Sequence, residues 1–394
     1  MTIKPSQTGT LDMRGLVGQW IGHSEVGSGP KELSLVNIEE RDPGKVQLVG
    51  ASSDDHRIRT SSDAELIQDG NSIKGTTFNY RVFDQQSDQF VPLADHFRRI
   101  GIKERPPEKA NYSAEFDGRR ISGEFTNDFG QQGRFEYWRT FSEALTGKEA
   151  PPPEVDGQFD WKGFKEYIAK FCRYEDVLFR GQHSNKYPLR TTFHRAHRNN
   201  LVRYVEEDVP RLRHRINAVS PHYYNSAGED FLGLLSLAQH HGYPTPLLDW
   251  TLSPYIAAFF AFDCMGDEAE WARRDGGPVR VLVFELERWR KLSRPMATSL
   301  KDPWPDLQFV HPPAHNNPRY YPQQSIAAFS NLDDIEGFIT AFETKHETKC
   351  LHRLDIRSDQ RPEVLDDLRF MGITPATLFP GVEGICRFLR TTCF

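Results

Sequence analysis

At 394 residues the chain exceeds the roughly 100–200 residues of a single typical domain, so two or three domains are expected. Its 49 Lys and Arg against 55 Asp and Glu leave a net charge of −6, which argues against a dedicated duplex-DNA binder with its basic face. Apolar residues at 38% and aromatics at 12%, 27 of them Phe, supply bulk for packed cores and exclude a disordered chain or a fibre.

The first 15 residues show no apolar stretch of the secretory kind after their lysine. The longest apolar run, 255–262, falls far short of the ~20 residues that span a bilayer, so no membrane partner is expected. Five cysteines, at 172, 264, 350, 386 and 393, form no C-x-x-C pair. An odd, scattered set excludes a disulfide scaffold and a thiolate zinc site, and fits a reducing, cytoplasmic setting.

From about residue 12 to 140 the chain reads as short strands separated by turn residues. Arg41-Asp42-Pro43-Gly44-Lys45 joins two alternating runs, as do Asp69-Gly70-Asn71-Ser72 and Phe116-Asp117-Gly118-Arg119. Gly18-Gln19-Trp20-Ile21-Gly22 opens the series, and residues 121–125 and 133–137 close it. This spacing predicts an antiparallel barrel or sandwich over residues 1–145, with Trp20 as the plug of its floor. Pro151-Pro152-Pro153 cannot feed a sheet ladder and favours a semi-stiff spacer. Residues 146–158 are therefore read as a Pro-rich linker and 159–394 as a second domain, with few contacts crossing between the halves.

Beyond the linker the period changes. Asp160 is placed to cap a helix whose Trp161, Phe164, Ile168 and Phe171 recur at helical spacing. Residues 176–180 read as a short buried strand stopped by Gly181, 200–218 as a charged helix and 231–238 as a more apolar one. Ser253-Pro254 is a strong helix start, a capping hydroxyl before a proline at the first helical position. The helix it opens, 255–264, is apolar almost all round and so expected to be buried. Residues 278–286 and 349–356 read as strands and 361–371 as a terminal helix. Interleaved strands and helices make this half mixed α/β, and the whole chain α+β.

Three segments of the second half carry candidate chemistry. Phe179-Arg180-Gly181-Gln182 sets a permanently charged fork of donors at a strand end, beside a glycine where a backbone can approach an anion closely. The competing reading pairs Arg180 with an internal carboxylate. Residues 237–254 are dense in polar side chains between two apolar helices, so those groups are expected to be buried and partnered. His240, His241 and Asp249 admit a metal reading, opposed by the divergence of neighbouring side chains and by the lack of a His-x-x-x-His there; His241 is otherwise a hydrogen-bonded core histidine. Residues 311–325 deliver Arg319, Gln323 and Gln324 to an apolar run at 326–329. His311 and His315 have the spacing of a metal pair, but Pro312 and Pro313 break the helix it needs, and no metal is expected. The basic stretch 190–215 alternates with Glu206, Glu207 and Asp208 and reads as a solvated face. No Gly-x-Gly-x-x-Gly, Walker loop, Gly-x-Ser-x-Gly or His-Glu-x-x-His occurs.

Together these segments resemble the FRG domain, named for the Phe-Arg-Gly motif that stands here at Phe179-Arg180-Gly181-Gln182 and continues through Tyr187-x-Leu189 to Arg195. Residues 237–254 read LAQHHGYPTPLLDWTLSP and are similar to the family signature LAQHHG-x-PTRLLDWT-x-SP. The helix with Ala257, Ala258, Phe260 and Ala261 is similar too, as are Arg319-x-x-x-Gln323, Gly372-Ile373 and Leu378-Phe379-Pro380-Gly381. The resemblance spans roughly residues 160–385, with Pro246 where the family has Arg and Ser325 where Gly is usual.

The order strand Arg, Thr-x-Ser, late polar residue is in turn similar to the Arg–Ser–Glu layout of ADP-ribosyltransferases. That resemblance implies an ADP-ribosyltransferase-like fold for the C-terminal domain and NAD as its substrate. It implies that Arg180 clamps the diphosphate, that Ser253 and Thr251 line the nicotinamide ribose, and that Gln323 or Gln324 takes the Glu position. Gln182, His241, Asp249, Tyr255 and Arg319 complete the implied dinucleotide contacts, with Tyr243 or Tyr255 stacked on nicotinamide. The implied activity is ADP-ribosyl transfer to a protein or nucleic-acid acceptor, or NAD cleavage, in a toxin or phage-defence effector. The missing Glu leaves two rivals: a non-catalytic module binding a nucleotide or nucleic acid, and a metal-dependent hydrolase built on His240, His241 and Asp249.

Overall fold

Turn chemistry sets the first half of the molecule. The computed structural model describes residues 15–52, 59–149, 154–171, 176–263, 271, 276–293 and 299–393. Its first sheet contains β1 (Gly18–Val26), β2 (Glu32–Asp42), β3 (Lys45–Ser52), β4 (Arg59–Asp69), β5 (Ser72–Asp84), β6 (Gln89–Pro92), β7 (Lys109–Phe116), β8 (Arg120–Asn127) and β9 (Gln132–Trp138). The order β4-β3-β2-β1-β9-β8-β7-β5 closes through a β4–β5 pairing into an eight-stranded antiparallel barrel, with β6 paired to β5 outside the ring. All three turns read from the sequence join neighbouring strands, and Gly44, Gly70 and Gly118 supply the positive φ values of 74°, 59° and 96° that those reversals need. The strands run longer than the sequence suggested, up to 13 residues in β5.

Trp20 does plug the floor. Its indole N–H donates to the Leu16 carbonyl (2.8 Å), its ring meets Phe116 edge-on at 5.9 Å, and the Arg139 guanidinium covers it at 3.6 Å.

The second sheet contains β10 (Gly157–Phe159), β11 (Val177–Gln182), β12 (Leu247–Thr251), β13 (Val279–Glu285), β14 (Leu307–Val310), β15 (Ser325–Ser330) and β16 (Leu351–Ile356). Its order is β10-β16-β13-β11-β12-β15-β14, antiparallel except for the β10–β16 pair, so the chain is α+β with a barrel and a mixed α/β half. One face packs on the helices Trp161–Ile168 and Pro254–Phe262 through Phe164, Phe179, Ala257 and Val281. The other packs Leu178, Leu248, Leu282 and Ile326 on the helix Ile335–His346. Covered on both sides, β13 is buried along its whole length.

Several readings of this half need correction. β11 does not stop at Gly181 but continues to Gln182. The polar stretch between the two apolar helices holds β12. Residues 200–218 do run as one charged helix, but a π-turn at Tyr204–Asp208 interrupts its α-helical segments Leu201–Arg203 and Val209–Asn217, with Pro210 in the first turn of the latter. The strands β10 and β14 and the helices Ile335–His346 and Val382–Cys393 had no predicted counterpart.

The halves are also not insulated from each other. Pro151–Pro153 lie outside the described residues, yet the outer face of β1 and β2 is buried against the second half. Ile21 and Leu35 share one apolar core with Trp289, Ile335 and Ile339. Gln19 donates to Asn37 Oδ1 (2.9 Å) and the Asn331 carbonyl (2.8 Å) and accepts from the Asp333 N–H (2.9 Å). Glu39, 4% exposed, accepts from the Asn200 N–H (3.1 Å) and pairs with Arg203 (2.5 Å) and Arg198 (3.3 Å). The expectation of few crossing contacts fails because outward positions of β1 and β2 that read as surface are an interface. Glu39→Ala leaves the buried Asn200 N–H without its acceptor and takes one of two carboxylate partners from Arg198 and Arg203, which keep Asp208 and Glu207, and should cost about 2 kcal/mol. Barrel and sheet should lose that stability together, as one transition by far-UV circular dichroism and tryptophan fluorescence.

Candidate functional site

The cleft opens where a strand ladder lapses. β11 pairs with β13 at six positions, Val177 through Gln182, but with β12 only at Phe179↔Thr251. Arg180, next along β11, reaches across with its Nη1 to the carbonyl of Asp249 on β12. A cleft of about 370 Å³ lies here, and it gathers residues from all three segments singled out in the sequence: Arg180, then Asp249 and Thr251, then Arg319 and Gln323.

Gly181 is explained by packing, not by an anion. A Cβ on it would stand 1.9 Å from the Ala257 carbonyl oxygen and 2.7 Å from the Ala261 nitrogen, because the helix Pro254–Phe262 lies directly on β11. The expectation that this glycine lets the backbone approach a ligand is corrected accordingly.

Arg180 is incompletely bonded. Its Nε is sealed from solvent without a hydrogen-bond partner, and among the described residues no carboxylate lies within ion-pair distance of the guanidinium. The reading as an internal ion-pair partner therefore fails. Burial lowers its pKa to about 10, with the nearby Asp249 carboxylate opposing that shift and Arg195 adding to it.

The other cleft residues are held by their neighbours. Arg319 donates to the His240 carbonyl (3.0 Å), pairs with Glu383 (2.5 Å) and lies over the Phe379 ring at 5.3 Å. The Gln323 amide donates to the Leu378 carbonyl (3.0 Å). The Thr251 hydroxyl donates to the Gln323 carbonyl (2.8 Å) and accepts from the Ser253 N–H (3.2 Å), fixing β12 to the late loop.

Other candidates are engaged elsewhere. The Ser253 hydroxyl caps its helix by accepting from the Ile256 N–H (3.3 Å). Gln324 is exposed at φ 47°, and its carbonyl accepts from the Leu252 N–H. Gln182 is buried and donates to the Tyr187 carbonyl (3.3 Å), while His241 is exposed at the end of the helix Gly228–His240 and is no core histidine. Tyr255 packs edge-on to Trp161, and Tyr243 neighbours Tyr204.

The cleft also takes in His183, which sequence reasoning missed, and Arg195, Phe260 and Phe379, which it placed in motif segments without a role in the cleft. Arg195 sits in the stretch read as a solvated face, but the Thr191-capped helix Thr192–Arg195 turns it toward Arg180 and Asp249, while Arg198 and Arg203 of the same stretch hold Glu39. Three guanidiniums thus line the cleft against one carboxylate, Asp249. His240 lines it too, with Nδ1 2.8 Å from Asn317 Oδ1. His240, His241 and Asp249 do not converge as a metal set. Among the described residues the one group with such proximity is His222, Asp230 and His315, with ligand atoms within 4.8 Å, and none of the three lines the cleft.

If Gly181 serves packing, Gly181→Ala should destabilise by about 3 kcal/mol, because the clash is with backbone and no side-chain rotation relieves it. Differential scanning calorimetry should show a lowered melting temperature. An unchanged melting temperature would return the glycine to a ligand-binding role.

Residues 175–270 match the family model described as the FRG domain. No curated protein matches this chain. Among solved structures, a redesigned β-barrel bound to DFHBI is similar at 14% identity over 32% of this chain and 96% of that one, with a TM-score of 0.23. A biogenic amine-binding protein is similar at 12% identity over 35% and 72% of the two chains, with a TM-score of 0.24. Rv2717c from M. tuberculosis is similar at 13% identity over 32% and 93%, with a TM-score of 0.20. The segment that matches the FRG domain model is thus the one that holds Arg180, Asp249 and the helix packed on Gly181.

Proposed function

We propose that the cleft binds NAD and cleaves its nicotinamide–ribose bond, passing ADP-ribose to water or to a protein or nucleic-acid acceptor. The observation that carries this reading is the Arg180 guanidinium: half-buried, unpaired by any carboxylate among the described residues, and with an Nε sealed from solvent without a partner. A buried donor without an acceptor is costly, and a phosphate oxygen would satisfy it through a charge-assisted bond. Arg195 adds a second guanidinium for a diphosphate in the same cleft, where Arg319 is already paired with Glu383.

The arrangement of the strands supports the same reading. Arg180, the Thr251-x-Ser253 junction and Gln323 arrive at the adjacent strands β11, β12 and β15, an order similar to the Arg–Ser–Glu layout of ADP-ribosyltransferases. In this account Arg180 grips the diphosphate, and Phe260 and Phe379 provide apolar walls for the nicotinamide ring. The Asp249 carboxylate faces the positive charge that develops on the ribose as nicotinamide leaves. Gln323, an amide, orients a ribose hydroxyl but takes no proton. Thr251 and Ser253 act as positioning residues that fix β12 and its helix. The setting this implies is an NAD-consuming effector of the toxin or phage-defence kind.

Arg180→Lys keeps the charge but loses the planar fork. A charge-assisted hydrogen bond contributes about 1.5–3 kcal/mol, so NAD affinity should fall roughly ten- to a hundredfold by isothermal titration calorimetry. The melting temperature should stay near that of the parent, since no carboxylate loses its partner. A parent chain that binds no NAD, or a variant that binds it equally well, removes Arg180 from the site.

A further inference from the structure

The barrel is hollow above its floor. Eight-stranded barrels are either filled by their own side chains or hold one small ligand. Here Trp20 and Phe116 fill the bottom, while a cavity of about 490 Å³ remains above them, within the range of small-molecule sites.

The wall is built to keep that space open. A Cβ on Gly75 of β5 would stand 2.5 Å from the Tyr112 hydroxyl, and one on Gly133 of β9 would stand 2.3 Å from the Phe125 ring. These two glycines therefore let the large rings of β7 and β8 lie along the wall instead of across the lumen. Ala110 and Ala114, inward on β7 on either side of Tyr112, add little bulk.

The lining also selects a chemistry. Among the described residues no Asp, Glu, Lys or Arg lines the lumen. A charged guest would lose its hydration with no counter-charge to replace it. The Tyr80 hydroxyl is already bonded to Thr77 Oγ1 (2.5 Å), but the Tyr112 hydroxyl has no hydrogen-bond partner among the described residues. Burial raises the pKa of the Tyr112 phenol, which stays a neutral donor.

We propose that the lumen binds one neutral, largely apolar aromatic molecule of bicyclic size, with an acceptor oriented to the Tyr112 hydroxyl. The site lies on the inner face of the barrel wall, whereas the second half of the chain packs on the outer face of β1 and β2, so it is separate from the cleft at Arg180 and independent of the NAD reading.

The test is a fluorescence titration of the full chain with prodan, a neutral naphthalene that carries a ketone acceptor and shifts to the blue in apolar surroundings. Saturable one-to-one binding with a blue shift is expected, and the anionic 1-anilinonaphthalene-8-sulfonate should bind about tenfold more weakly or worse. Ala110→Phe and Val36→Phe, from different strands, each place a ring in the lumen and should weaken prodan about tenfold or more. Tyr112→Phe should weaken it less, since only the hydroxyl is lost. On the parent chain, hydrogen exchange with saturating prodan should slow in β5, β7 and β8. Absence of saturable binding, unchanged affinity in a folded Ala110→Phe or Val36→Phe chain, or slowing confined to β11 and β12 overturns the proposal.

Discussion

The close approach of β11 to the helix Pro254–Phe262 is the constraint on which the second half depends. With no side chain on Gly181, the helix backbone comes down onto the strand and its apolar residues join one core with Phe164, Phe179 and Val281. The helix begins at the Ser253 cap, directly after β12, so its seat also sets where β12 lies. β12 then meets β11 at a single residue pair, and the gap beyond that pair is the cleft. Arg180 is carried into the gap by the same strand whose next residue makes the contact. One missing methyl group thus fixes the strand, the helix start and the placement of the guanidinium.

The first half depends on a different device, a strand with two buried faces. β1 turns Trp20 into the barrel floor and Gln19 and Ile21 outward into the FRG-bearing half. Outward burial of Gln19 is tolerated because its amide is satisfied by Asn37, Asn331 and the Asp333 N–H together. Glu39 does the same for Arg198, Arg203 and a backbone N–H. Barrel and sheet are therefore joined by buried polar groups as well as by the core of Ile21 and Leu35.

What could be read in the sequence follows from the range of the forces involved. The barrel hairpins were legible because Pro43-Gly44, Gly70-Asn71 and Gly118 fix reversals locally. The helix start at Ser253-Pro254 was legible for the same reason. β12 was not, since its burial alternates with neither period: only Asp249 of its five residues faces out. The motif residues Arg180, Asp249, Thr251, Arg319 and Gln323 do line one cleft. The task of Gln182 could not be read, because the loop carbonyl it serves comes within reach only once the chain has turned. Arg195 belongs to the motif segment but could be given no task among equally charged neighbours, because tertiary placement alone separates the guanidinium in the cleft from those that hold Glu39.

The cleft then poses a simple electrostatic situation: three guanidiniums, one of them incompletely bonded, and a single carboxylate placed among them. The guanidiniums suit a bound diphosphate, while the carboxylate suits positive charge that appears only as a bond breaks, and this second part is the central claim. The direct measurement is nicotinamide release from NAD by the full chain and by Asp249→Asn, followed by chromatography alongside NAD affinity. The account predicts steady release by the parent chain, with the variant slowed by about a hundredfold or more while its NAD affinity is kept or raised. A parent chain that binds NAD and releases no nicotinamide, or a variant that releases it at the parent rate, would contradict it.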